Sequence, residues 1–168
     1  NKINDGNVPS SVEMNVVAGE RGATRAIFSW TAPPTDIVGN PLDASEEITY
    51  TIVSEEETVE HKVKPGVATV AEVKTFQGIN EISVTPSNKN GRGVTSHYRL
   101  YTGIDIPNYA PNVKGVTSED NETMVLTWDA PTTGVNGGFI DPENIYYDIY
   151  YHYSINYDKI GTTAERTY

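Results

Sequence analysis

The chain has 168 residues, with 23 Asp and Glu against 12 Lys and Arg, a formal net charge of −11 and no cysteine. That balance argues against binding nucleic acid through its phosphates, and the lack of cysteine excludes disulfide staples, thiolate metal sites and thiol catalysis. No apolar run approaches the ~20 residues a membrane span needs, so this segment is expected not to insert into a membrane.

In chain order, residues 1–8 are polar, contain Asp5-Gly6 and lack periodicity, as an N-terminal linker would. Pro9 opens the first unit, and Val12, Met14 and Val16 alternate with polar neighbours like an edge strand. After a turn at Gly19-Glu-Arg-Gly22, residues 24–30 read as a strand. Alternation puts Ala26, Phe28 and Trp30 on one face and Arg25, Ile27 and Ser29 on the other. Pro33-Pro34 then end ladder pairing, because proline has no amide proton to donate. The next strand, 48–53, points Ile48, Tyr50 and Ile52 inward, and 58–63 is a short strand before a Pro65-Gly66 turn. Residues 68–76 follow, with Ala71 and Val73 on one face and Val70, Glu72 and Lys74 on the other. Gly78-Ile-Asn is expected to break that region before a strand at 81–86 whose Ile82, Val84 and Pro86 point inward. Asn88-Lys-Asn-Gly-Arg-Gly93 is a hairpin loop rich in residues that tolerate positive φ, and 95–102 is the last strand of the unit. Seven short strands with turns between them specify an antiparallel sandwich, and no window shows helical period.

The stretch Ala26-Ile-Phe-Ser-Trp-Thr-Ala-Pro33 returns as Met124-Val-Leu-Thr-Trp-Asp-Ala-Pro131, which sets the only tryptophans, Trp30 and Trp128, 98 residues apart. Gly39, Leu42-Asp43 and Ile48-Thr-Tyr-Thr-Ile52 follow the first copy. Gly137-Gly138, Ile140-Asp141 and Ile145-Tyr-Tyr-Asp-Ile149 follow the second. The interval is about one small domain, so domains are expected at 9–105 and 106–168. Residues 103–111, with two prolines, join them more stiffly than a Gly/Ser tether. Only 40 residues follow Trp128, against 72 from Trp30 to Thr102. The second unit is therefore expected to lack its last strands, supplied either by a longer parent chain or by another chain.

The pattern Pro9…Val12…Phe28-x-Trp30…Pro33…Tyr50-x-Ile52, with Val84-x-Pro86-x-Asn88-x-x-Gly91, resembles a fibronectin type III domain. The loop Trp128-Asp-Ala-Pro…Gly134-Val-Asn-Gly-Gly-Phe-Ile-Asp141 resembles tandem type III modules of secreted or lipid-anchored surface proteins of Bacteroidetes. The resemblance covers residues 9–168. It implies an all-β fold of two antiparallel immunoglobulin-like sandwiches in tandem, the second incomplete at its C-terminal end, on an extracellular or cell-surface protein. One position departs from the family: Asn80 stands where a tyrosine usually caps a neighbouring backbone group. Asn80 either bonds to the Gly78 turn or belongs to a corner built differently.

Catalytic chemistry finds no pattern. His61, His97 and His152 fall in different strands, no G-x-S-x-G elbow occurs, and no zinc spacing exists. Gly134-Val-Asn-Gly-Gly138 precedes a strand, not the helix a phosphate cradle needs. Glu46-Glu47, Glu55-Glu56-Glu57 and Glu60 read as a solvated acidic edge, without the alternating spacing of a calcium loop. A type III-like sandwich also gives paired carboxylates no deep cleft. No catalytic, metal or cofactor-binding residue is therefore assigned. One surface is singled out within Tyr146-Tyr-Asp-Ile-Tyr-Tyr-His-Tyr153. Alternation turns Tyr147, Ile149, Tyr151 and Tyr153 inward and leaves Tyr146, Tyr150 and His152 as an outward stripe. Such a stripe can contact a protein or stack on sugar rings, or it can simply stabilise the sheet by cross-strand pairing. The sequence thus leads to an expectation of a non-catalytic extracellular module, acting as spacer or adhesion-type unit of a bacterial surface protein, with a protein or glycan partner. The alternative is an accessory carbohydrate-binding module of a polysaccharide-utilisation system.

Overall fold

A computed structural model describes residues 8–168; residues 1–7, most of the expected leader, lie outside the described residues. The chain divides into two compact units between Gly103 and Ile104. The first contains β1 (Asn15–Ala18), β2 (Arg25–Thr31), β3 (Ile48–Val53), β4 (Thr58–Val63), β5 (Ala68–Lys74), β6 (Gly78–Asn88), the two-residue β7 (Gly91–Arg92) and β8 (Ser96–Thr102). One sheet has the order β1-β2-β5. The other runs β4-β3-β6, with β7 and β8 both pairing β6. Every pair is antiparallel. This all-β, two-sheet arrangement is immunoglobulin-like, of fibronectin type III type.

Alternation decides which side chains lie between the sheets. Ala26, Phe28 and Trp30 of β2, Ile48, Tyr50 and Ile52 of β3, Ala71 and Val73 of β5, and Ile82 and Val84 of β6 are all buried. They form one cluster, against which Val12, Met14, Val16, Tyr98 and Leu100 pack. Trp30 and Tyr50 meet edge to face across the two sheets, with ring centroids 4.8 Å apart. Neither the Trp30 indole N–H nor the Tyr50 hydroxyl reaches hydrogen-bond geometry. Burial pushes the Tyr50 hydroxyl up to about 12, offset only in part by the indole beside it.

Two details differ from the sequence expectation. The expected break is present but falls at residues 75–77 and not at Gly78-Ile-Asn: β6 begins at Gly78 and pairs from there with the end of β8, Gly78 opposite Thr102. The reason is Asn80, which is buried and closes the corner itself. Its Oδ1 accepts from Phe76 N (3.1 Å), and its Nδ2 lies within reach of Phe76 O (2.9 Å), Gly78 O (3.0 Å) and Thr102 Oγ1 (3.1 Å). Thr102 Oγ1 also donates to Phe76 O and faces Thr75 Oγ1 at 2.6 Å. Asn80 thus bonds to the Gly78 turn, the first of the two alternatives left open for it. The second difference is the 88–93 loop, which is tighter than expected: Asn88 pairs Gly91, leaving Lys89 and Asn90 as the turn.

The second unit contains β9 (Lys114–Thr117), β10 (Met124–Thr127), β11 (Tyr147–Tyr153) and β12 (Asn156–Thr163). β9 pairs β10 and β11 pairs β12. Residues 166–168 add to the other edge of β10, where Leu126 and Tyr168 exchange N–H···O bonds of 2.9 and 3.0 Å and Trp128 N donates to Arg166 O. These elements match the first four strands of the first unit and the opening of its fifth. Trp128 is buried with Ile140, Ile145 and Ile149 and meets Tyr147 edge to face at 5.2 Å. Unlike buried Ala26, its counterpart Met124 is exposed.

Two stability measurements follow. Trp30→Ala is expected to lower the unfolding free energy by about 3–5 kcal/mol, whereas Tyr50→Phe, which removes an unpartnered buried hydroxyl, leaves it unchanged or raises it by up to about 1 kcal/mol. A loss of more than 1 kcal/mol in Tyr50→Phe, read from urea midpoints, would show that the hydroxyl is bonded after all. Asn80→Ala strips the corner of its amide and should cost about 2–3 kcal/mol; near-neutrality would mean the threonines close the corner alone.

Candidate functional site: an aromatic hairpin

The hairpin of β11 and β12 arises from a run of aromatic and β-branched residues, which suit a pleated surface. Tyr153 pairs Asn156 across a two-residue connection, and Ser154 takes the left-handed conformation (φ 54°) that turns the chain. Tyr147 pairs Thr163 and Ile149 pairs Gly161, but Tyr150 pairs Lys159, so Ile160 is a bulge residue. Such a bulge bends the strand and increases its twist. Tyr168 anchors the bulge: its hydroxyl donates to Ile160 O (2.8 Å), and its ring occupies the space a side chain at Gly161 would need.

Below the bulge the hairpin belongs to the body of the unit. Tyr147 and Ile149 stand beside Trp128 and correspond to Tyr50 and Ile52. A shallow groove of about 210 Å³, lined by Ala110, Val113, Leu126, Trp128, Tyr147 and Ile149 among others, runs along this face. Beyond the bulge the inward expectation fails for Tyr151 and Tyr153, which are 58 % and 44 % exposed. They keep the same face as Ile149, yet the strand has outrun the sandwich there, and the two rings stack on each other at 5.6 Å instead of on a core.

Tyr146, Tyr150 and His152 are all exposed, the two tyrosines at 69 % and 54 %. They do not form one continuous stripe. Tyr150 lies four positions beyond Tyr146, about 13 Å along an extended chain, and Asp148 stands between them. Asp148 pairs with Lys159 Nζ at 2.8 Å and accepts from Thr162 Oγ1 at 2.8 Å. The Lys159 ammonium first, and then the Thr162 hydroxyl, hold the Asp148 carboxyl below the usual carboxylate range. What the fold brings together is Tyr150, His152 and Tyr157, with His152 and Tyr157 stacked at 4.3 Å and 18°. Tyr157 was missed in reading the sequence, although its place across a two-residue turn from a tyrosine-rich strand was the available signal. The projecting end of the hairpin is therefore aromatic on both faces, with Ile155 at its apex 87 % exposed.

The other histidines lie elsewhere: His61 is on β4, its Nε2 2.6 Å from Thr69 Oγ1 and its ring against Trp30, and His97 is on β8. Among the described residues no group of three or more His, Cys, Asp or Glu is arranged to hold a metal ion, and no helix is long and apolar enough to cross a membrane.

Strand order defines a class: an immunoglobulin-like β protein of fibronectin type III architecture, with an aromatic hairpin on its second unit. No family model matches the sequence, and no curated protein does. A solved structure described as the central fibronectin-III array of RIM-binding protein aligns with 88 % of this chain and 46 % of its own, at 15 % identity and a TM-score of 0.34. The chain thus spans less than half of that structure, and the fold assignment rests on the strand order described above.

Proposed function

We propose that the chain is a non-catalytic interaction module of a bacterial cell-surface protein, acting outside the cell as an adhesion-type unit whose contact surface is the hairpin end. The observation that carries this reading is the exposed Tyr150, His152 and Tyr157 cluster on a hairpin that projects beyond its sandwich. Flat rings with polar edges lose little conformational freedom on contact and bury large areas, which is why tyrosine is enriched at interfaces. The surface location and the bacterial source rest on the sequence resemblance of the 128–141 loop, and the non-catalytic assignment rests on analogy with modules of this architecture. A spacer role is compatible with the same fold and needs no contact surface.

A second reading, an accessory carbohydrate-binding module, is favoured by the polar groups beside the rings. Asn156 and Asp158 pair with Tyr153 and Tyr151 on one face, and a carboxamide or carboxylate next to an exposed ring suits sugar hydroxyls. Lys159 is engaged with Asp148, and Asp158 beside Tyr151 disfavours acidic sugars, which points this reading to uncharged glycans.

Parallel glycan and extracellular-protein arrays separate these readings, using the wild type, Tyr146→Ala/Tyr150→Ala and Tyr150→Ala/Tyr157→Ala. Protein hits lost in the second variant, with unchanged unfolding midpoints, are expected for the adhesion reading. Glycan hits lost in the variants would replace it with the carbohydrate reading. Binding retained by both variants would move the contact away from the hairpin.

A further inference from the structure

The two units share a loop built on one plan, offset by 98 residues. In the first, Pro9 bridges Asp36, Ile37 N donates to Val8 O, Asp36 N donates to Asn40 O (2.8 Å) and Gly39 N donates to Asp36 O (3.0 Å). In the second, Pro107 bridges Gly134, Val135 N donates to Ile106 O, Gly134 N donates to Gly138 O (3.0 Å) and Gly137 N donates to Gly134 O (3.0 Å). Both loops need a carboxylate at their centre. Asp36, itself buried, supplies it in the first by accepting from Val38 N (3.0 Å) and Asn40 N (2.9 Å), the local turn that aspartate makes with the backbone two residues on. The equivalent residue in the second unit is glycine, which has no side chain to offer.

The carboxylate comes instead from Asp105, buried and outside the loop. Its Oδ2 accepts from Asn136 N (2.8 Å) and Gly138 N (3.0 Å), the counterparts of Val38 N and Asn40 N. Its Oδ1 accepts from Asn136 Nδ2 (2.9 Å) and Ile106 N (2.7 Å). A Cβ built on Gly134 would run into the Asp105 side chain, so the borrowed carboxylate fills the place of the missing one. Backbone bonds hold the lender as well: Ile104 bridges Phe139, and Asp105 N donates to Phe139 O.

We propose that Asp105 is a clasp: it makes residues 104–108, which read as part of a linker, a structural strap of the second unit, so that ordering the strap and folding the 133–139 loop are one event. In the first unit Asp36 caps its loop from within. The exchange of an in-loop aspartate for a strap aspartate plus glycine therefore converts a tether into part of a fold.

Hydrogen exchange on the full chain, with limited proteolysis, tests the clasp. In Asp105→Ala, residues 104–108 and 134–139 should both exchange about tenfold faster, as expected for losing one capping carboxylate, and 104–111 should become cleavable. Gly134→Asp alone should also disturb the loop, since two carboxylates compete for one place. The decisive variant is Asp105→Ala/Gly134→Asp, which rebuilds the first unit's arrangement. It should recover protection at 134–139 while 104–108 stays fast and cleavable. A double variant no better protected or folded than Asp105→Ala overturns the proposal, as does an Asp105→Ala chain with wild-type protection in the strap.

Discussion

In each unit an edge-to-face contact between tryptophan and tyrosine stands at the centre of the packing. Trp30 belongs to the β1-β2-β5 sheet and Tyr50 to the other, so their edge-to-face meeting sets the distance at which the sheets close. Trp128 and Tyr147 repeat the geometry, with the same interplanar angle of 62°. The loop between the partners must return the chain to the opposite sheet, and the turns within it do that work. Asp43 accepts from Ser45 N and Asp141 from Glu143 N at matching positions. The spacing difference, 20 residues from Trp to Tyr in one unit and 19 in the other, therefore falls after these turns and leaves the aromatic pair undisturbed.

Much of the fold was legible because burial follows a period of two. Ile48, Tyr50, Ile52, Ile82 and Val84 were placed inward by alternation, Ala26, Phe28 and Trp30 were grouped on one face of their strand and Ala71 and Val73 on one face of theirs, and all are buried. What alternation cannot register is where a sheet stops having something to face. Tyr151 and Tyr153 keep the parity of Ile149 but lie past the end of the sandwich, so parity ceased to mean burial. Nor does it register a side chain that replaces a turn, as Asn80 does at Gly78. The aromatic stripe was visible as residues and not as a site, because the Asp148–Lys159 pair and the bulge at Ile160 depend on the pairing of β12, whose register is a tertiary property.

The two units thus repeat one aromatic core contact and differ in what they present. On β3 the outward positions are Thr49, Thr51 and Val53, facing Lys62, Glu60 and Thr58, small or charged residues that leave no ring surface. On the β11–β12 hairpin the outward positions are Asp148, Tyr150 and His152, facing Thr162, Lys159 and Tyr157. With Asp148 and Lys159 neutralising each other, the formal charge left beside the rings is that of Asp158, opposite Tyr151.

The bulge at Ile160 has a colloidal consequence. β12 pairs only β11, and a strand with an open edge is a template for strand addition between molecules, a run of apolar residues without charge being a seed for fibrils. Ile160 breaks the ladder's rhythm midway along β12, and Asp158 and Lys159 place opposite charges just before it. A copy docking antiparallel about either residue would meet a like charge across the new ladder. The β12 edge therefore resists strand addition between copies, while the rings of Tyr150, His152 and Tyr157 stay open to contact.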